Sequence, residues 1–190
     1  MSRRAGLDTS MVVVAAIELV DTQGYDELTL AALAEKLRIR IPSLYNHIAG
    51  LDGLRRALVQ QGIEMLTDAL TTAVLGKAGD DALFAIGHAY RAFAKEHPGL
   101  YNAAMHGPSI ADEALEQAMR KPVEVVMRVL EAYDLHADAA LHAVRGLRSI
   151  AHGFVSLEIS GSFGLPLDLD ESYRRLLHTF IAGLHAPPVA

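Results

Sequence analysis

Cysteine and tryptophan are absent from this chain of 190 residues, and aromatic residues make up only 6% of it. Without cysteine, disulfides, zinc–thiolate sites and thiol catalysis are excluded, and the composition suits a reducing compartment. No stretch of about 18 consecutive apolar residues occurs, so no membrane-spanning helix is expected. Nor does a basic-then-apolar leader with a small-residue cleavage site mark a secretory signal, and the expected location is the cytoplasm. The spacings of catalysis are missing as well. No glutamate is followed three residues later by histidine, the pairing that holds metals inside helix bundles. There is no His-Glu-x-x-His, no Gly-x-Ser-x-Gly elbow, no Walker loop and no dinucleotide fingerprint. Asp138 and His142 stand at i and i+4, a spacing that a surface ion pair explains. No enzyme activity, no metal and no cofactor are therefore expected.

What remains is a chain that is 51% hydrophobic, with helical periodicity almost throughout, no useful β-alternation and no internal repeat. It reads as all-α, with about nine helices. The first spans about Thr9–Thr22, with Val13, Ala16, Ile17 and Val20 inward and Gly24 ending it. Between Thr29 and Ile48 the sequence TLAALAEKLRIRIPSLYNHI has the layout of a helix-turn-helix. Thr29 is a favoured N-cap, and Leu30, Leu33, Ala34 and Leu37 recur along one buried face. Arg38, Ile39 and Arg40 fit a turn, and Pro42 falls in the first turn of the next helix, where it is tolerated. That helix is expected over Ile41–Ile48, with Ile41, Leu44 and Ile48 inward. Pro42, Ser43, Tyr45, Asn46 and His47 are left on the outer or flanking surface, where Asn can pair with an adenine edge and Tyr, His and Arg can donate to phosphates.

Net charge is −6, yet the surplus of acid lies after residue 60. Lys36, Arg38, Arg40, Arg55 and Arg56 face a single acid, Asp52, between residues 36 and 56, enough for a local positive patch on an acidic molecule.

Further along, Asp52 is a candidate N-cap for a long fourth helix reaching Leu75, and 76–81 is the best break. A fifth helix is expected from Asp81 to His97 and a sixth from Pro98, followed by a loop over 106–109. The seventh should span Asp112–Tyr133 with a kink or break at Pro122, the eighth Ala137–Ser160, and the ninth Glu171–Leu184 behind an Asp170 cap. Residues 1–50 are thus read as the helix-turn-helix domain and 51–190 as a second helical domain, joined by the helix over about 52–75.

The N-terminal segment resembles the DNA-binding domain of the TetR family of transcriptional regulators, through Gly24-Tyr25, Thr29 and Leu44-Tyr45-Asn46-His47-Ile48. The resemblance implies that Thr29 caps its helix against a phosphate, that Arg40 enters the groove or its edge, and that Ser43, Tyr45 and His47 contact backbone or bases. Asn46 occupies the variable slot of that motif. Two positions depart from the family pattern: Arg38 stands where Gly is usual, and Leu51 where Lys is common.

The C-terminal part is similar to a TetR branch named for a Trp-His-Gly motif, here Ala151-His152-Gly153, with HPGLY at His97–Tyr101 and GFVSLEISGSFGL at Gly153–Leu165. This likeness implies a regulatory domain that dimerises through its last two long helices and often binds a small apolar or amphipathic effector. Candidate interface residues are Gly146, Ile150, Gly153, Phe154 and Leu157 of helix eight with Tyr173, Leu177 and Phe180 of helix nine. Candidate pocket walls, chosen for apolar or aromatic character at helical spacing, are Tyr90, Phe93, Tyr101, Met105, Met127, Leu130 and His152. The function expected is a dimeric repressor that binds a palindromic operator on double-stranded DNA and is released by its effector. The alternative is a helical adaptor that binds another protein, which leaves the basic Tyr-His segment without a role.

Overall fold

The computed structural model describes residues 7–106, 112–135 and 137–186. Nine α-helices and no strand occur among them: α1 Thr9–Gln23, α2 Leu30–Leu37, α3 Ile41–Leu44, α4 Gly50–Ala73, α5 Gly79–Glu96, α6 Pro98–His106, α7 Glu113–Leu130, α8 Ala137–Ile159 and α9 Leu169–Leu184, with a 3-10 turn at Glu131–Tyr133 after α7. The expected all-α class is what is found. The loop expected over 106–109 lies almost wholly outside the described residues.

Two compact units form. The first draws on the chain up to Glu64 and on His97–Ala118; the second comprises Met65–Glu96 and the chain from Met119. Where the sequence reading sets a boundary near residue 50, this division falls within α4 and groups α6 with α1. The cause is local. One Asp21 carboxylate oxygen accepts the N–H groups of Gly99 and Leu100 at 3.0 and 2.9 Å, while the other meets His97 Nδ1 at 2.8 Å. These are amides at the start of α6 that have no partner within their own helix, and a side chain of α1 satisfies them. Contact is so close that a Cβ on Gly99 would sit 2.0 Å from the Val20 carbonyl oxygen.

That docking also turns α1. Its buried residues are Val12, Ala15, Ala16, Leu19 and Val20, whereas Val13 and Ile17 are only half-buried. The expected stripe centred on Val13 and Ile17 is thus displaced around the helix, because α1 packs against both α2 and α6. Asp8, whose carboxylate accepts the Met11 amide at 2.8 Å, starts the helix. Leu28, Leu33, Leu44, Leu54, Leu58, Leu100 and Leu115 fill the core of this unit.

In the second unit α5 packs against α8 and α9. Leu177 of α9 lies against Gly87 of α5, the Tyr173 hydroxyl donates to the Gly87 carbonyl at 2.8 Å, and Phe180 covers Gly146 of α8. Arg91 of α5 is buried, with its guanidinium over the rings of Phe154 and Tyr173. It donates to both oxygens of Glu158 at 2.7 Å and pairs with Asp170 at 2.7 Å. Three helix ends differ from expectation. Asp168, not Asp170, caps α9, accepting the amides of Asp170 and Glu171, and Asp170 serves Arg91 instead. Asp52 lies within the first turn of α4, which starts at Gly50. The seventh helix runs unbroken through Pro122 and ends at Leu130, its last stretch tightening into the 3-10 turn that closes on Asp134 with a left-handed φ of 53°.

Candidate nucleic-acid interface

The site is assembled from the caps inward. Thr29 Oγ1 accepts the Ala32 amide at 3.1 Å and starts α2, whose Leu33 and Ala34 are buried. The helix ends on Arg38 in the left-handed conformation (φ 54°, ψ 42°), with the Arg38 amide on Glu35 and the Ile39 amide on Ala34, both at 3.0 Å. This pair of bonds is the Schellman arrangement, ordinarily built on Gly, and an arginine there costs roughly 1 kcal/mol of backbone strain. The turn is made as expected, without the glycine.

The second helix is shorter than expected. Only Ile41–Leu44 is α-helical, entered from Arg40 in an extended conformation (ψ 146°) with Pro42 in its first turn. Tyr45–His47 continue as turns, held because the amides of His47 and Ile48 both reach the Leu44 carbonyl at 2.8 and 3.0 Å. Leu44 is fully buried and Ile48 nearly so, but Ile41 is 40% exposed, which corrects its assignment to the core. One turn of helix cannot bury its first residue and its last on the same face as the turns that follow.

Leu44 anchors the segment, so its neighbours point outward. Tyr45 is 60% exposed, Arg40, Pro42 and Asn46 are exposed, and Ser43 and His47 are half-buried. Thr29, the cap, is exposed as well. All seven candidates thus lie on or at the edge of one unit's surface. Sequence reading missed Thr9, whose hydroxyl donates to the His47 carbonyl at 3.2 Å and ties the start of α1 to this turn. No periodicity marks such a bond.

The basic patch is smaller than the sequence implies. Lys36 pairs with Glu18 at 2.9 Å, Arg56 pairs with Asp112, and Arg55 lies 5.9 Å from the centroid of the Tyr25 ring with its Nε buried and without a hydrogen-bond partner. Asp112, which also accepts the first amides of α7, is held well below the usual carboxylate range by the Arg56 hydrogen bond. Of the five cations, Arg38 and Arg40 are the exposed ones outside any ion pair among the described residues.

The other candidate residues divide between the units. Tyr101, buried, and Met105, half-buried, belong to the first; Tyr90, Phe93 and Leu130, buried, and Met127, half-buried, belong to the second. His152 is exposed on α8, where desolvation and Arg148 lower its pKa. Among the interface candidates, Phe154, Tyr173 and Leu177 are buried in the core of their own unit. Gly153 meets nothing, Gly146, Ile150 and Phe180 are half-buried, and Leu157 is 47% exposed. Among the described residues no helix is long and apolar enough to cross a membrane, and no group of three or more His, Asp or Glu side chains is placed to hold a metal ion.

Residues 83–180 match the family described as tetracyclin repressor-like, C-terminal domain. The chain is 39% identical over 185 residues to the HTH-type transcriptional regulator YobS of Bacillus subtilis, covering 97% of this chain and 96% of that one. In fold it is similar to a protein of unknown function from Rhodococcus sp. RHA1 (TM-score 0.84, 22% identity, 98% of this chain and 100% of that one). It is also similar to a single-residue variant of TetR from Acinetobacter baumannii AYE, solved in complex with minocycline (TM-score 0.69, 23% identity, 94% and 96%). With a helix-turn-helix at its N-terminal end and a repressor-like C-terminal region, the chain belongs to the TetR family of DNA-binding transcriptional regulators.

Proposed function

We propose that the protein is a cytoplasmic, dimeric repressor whose two copies of the Ile41–Ile48 segment enter successive major grooves of a palindromic operator, about 34 Å apart. The observation that carries this reading is the outward Tyr45-Asn46 pair on a backbone pinned by buried Leu44. Asn46 offers the donor and acceptor that match an adenine edge, while Thr29, Arg40, Ser43, Tyr45 and His47 position the segment on phosphates or neighbouring bases. Arg40 and Arg38 supply the local positive charge, and the acidic remainder weakens indiscriminate binding to DNA. The reading assigns the chain no catalytic step.

Selection of bound sequences from random duplex DNA tests it. A palindromic consensus is expected; binding with no sequence preference would point to the adaptor instead. On the selected operator, Tyr45→Ala should weaken binding by roughly 1–3 kcal/mol, and Asn46→Ala should relax preference at one base pair of each half-site. A uniform loss across sequences for Asn46→Ala would move that residue to the phosphate backbone.

Dimerisation is assigned to the outer faces of α8 and α9; on α8, Leu157 and Ile159 are 47% and 45% exposed and the surface at Gly153 is open. Two half-sites held by a symmetric pair bind far more tightly than one. Leu157→Glu should therefore give monomers in sedimentation and a large loss of operator affinity. Dimers that persist would place the interface elsewhere.

The effector reading rests on the family and on the minocycline bound by the TetR variant of A. baumannii. Here it is assigned to the apolar and aromatic side chains Tyr90, Phe93, Met127 and Leu130 of the second unit. An effector can shift the operator-bound arrangement only by its differential affinity for the two states, typically about 1–3 kcal/mol.

A further inference from the structure

A groove of about 250 Å3 opens in the second unit between the last turn of α4, the turn into α5 and the C-terminal half of α7. Its larger apolar side chains are Val74, just after α4, and Val125 and Val129 from α7, each half-buried, and its charged ones are Lys77 and Arg128. The valines of α7 lie four residues apart on one face, with Arg128 directly beside the second. None of the effector-pocket candidates lines this groove.

Both cations are uncompensated among the described residues. Arg128 has Glu124 at i−4 and Glu131 at i+3, yet forms an ion pair with neither. Lys77 donates one hydrogen bond, to the Ala73 carbonyl at 2.9 Å, which ties its ammonium to the end of α4 and leaves two of its three donors for another acceptor. A nearby carboxylate, Asp80 beside the groove residue Gly79, is already engaged by the Tyr133 hydroxyl at 2.5 Å and His185 Nε2 at 2.8 Å. In a chain of net charge −6, two such cations over an apolar floor are complementary to a ligand that is anionic at one end and aliphatic at the other. The volume falls below the roughly 300–1,000 Å3 typical of sites for drug-sized molecules, so the ligand is small.

We propose that this groove binds a short-chain aliphatic carboxylate, with its hydrocarbon on Val74, Val125 and Val129 and its carboxylate on Lys77 and Arg128. Arg128 supplies a fork that can take both carboxylate oxygens, and Lys77 supplies a point charge. The assignment is independent of the operator and of the effector site proposed at Tyr90, Phe93, Met127 and Leu130.

Titration of the full chain with sodium hexanoate, followed by NMR of labelled valine methyl groups at constant ionic strength, tests it. Saturable shifts are expected at Val74, Val125 and Val129, with at least tenfold weaker binding for hexanol, which lacks the charge, and for inorganic phosphate, which lacks the hydrocarbon. In a Lys77→Gln, Arg128→Gln variant hexanoate binding should fall at least tenfold. Both side chains are exposed, so the melting temperature of this variant should match that of the parent, and a match confirms that any loss of binding belongs to the groove. The proposal is overturned if hexanoate leaves these three valines unmoved, if the double variant binds it equally well, or if hexanol or phosphate binds as tightly. Operator binding, measured on the same variant, reports separately on the repressor reading.

Discussion

Gly99→Ala should destabilise the protein by more than about 3 kcal/mol, beyond the usual range for adding one methyl group, because the added carbon has nowhere to go. It would sit 2.0 Å from the Val20 carbonyl oxygen, 2.2 Å from that carbonyl carbon and 2.7 Å from the Asp21 nitrogen. All three are backbone atoms, and a backbone inside a packed helix cannot rotate aside as a side chain can. To relieve the overlap α6 must withdraw from α1, and the withdrawal strips the Gly99 and Leu100 amides of the Asp21 carboxylate. Leaving buried donors unpaired adds about 1–3 kcal/mol each. Asp21→Asn is the gentler comparison, since its amide oxygen can still accept both N–H groups and only the oxygen that meets His97 is replaced, and a loss of roughly 1–2 kcal/mol is expected. Urea unfolding of the three proteins checks the ordering; a Gly99→Ala variant within about 1 kcal/mol of the parent would show that the helices can part without cost.

This geometry gives the HPGLY segment a physical reading. His97 presents its ring to Asp21, Pro98 opens α6 where its missing N–H is not needed, Gly99 permits the approach, and Leu100 and Tyr101 are buried beyond it. A sequence shows such a motif as five letters in a row. It does not show that the partner is Asp21, because that residue lies far back in α1, where it reads as one more polar position near a helix end.

Much of the reading head was legible for a related reason. The caps, turn and buried leucines of α2 and α3 depend on neighbours within a few residues, and these set Thr29, Arg38 and Leu44 as expected. What failed was decided at long range. The inward face of α1 answers to α6, the α9 cap is Asp168 because Asp170 is drawn to Arg91, and three of the cations near residues 36–56 are engaged by Glu18, Tyr25 and Asp112. Ile41 was misplaced because a period of 3.6 residues was carried along a helix that ends after one turn. Arg91 was overlooked altogether. The signal was present, since it interrupts the apolar run LFAIGHAYRAFA, as Glu158 interrupts GFVSLEISG, and two opposite charges each embedded in hydrophobic sequence are candidates for each other.

Breaking that pair should produce the second large effect. Arg91 and Glu158 side chains are only 8% and 9% exposed, and together with Lys95 and Asp170 they tie α5 to α8 and α9. Arg91→Met removes the guanidinium that meets both Glu158 oxygens and leaves the carboxylate with Lys95 alone, at an expected cost of about 3–5 kcal/mol. For a chain of this size that lowers the melting temperature by roughly 6–20 °C. The Arg91 hydrogen bonds hold Glu158 down to a pKa of about 2, against an ordinary value of 4.5. Because the folded-state value is the lower one, the stabilisation is complete above about pH 4.5 and is lost as pH falls toward 2, amounting to no more than about 3 kcal/mol once solvent screening is allowed for. The parent protein should therefore lose stability steeply across that window, and Arg91→Met much less so. A double variant, Arg91→Met with Glu158→Met, separates charge from packing. If the cost of the single change is the stranded carboxylate, the double variant regains most of it at neutral pH, since apolar groups can fill the space over Phe154 and Tyr173. If it stays as unstable as the single variant, the guanidinium matters chiefly through its stacking over the Phe154 and Tyr173 rings.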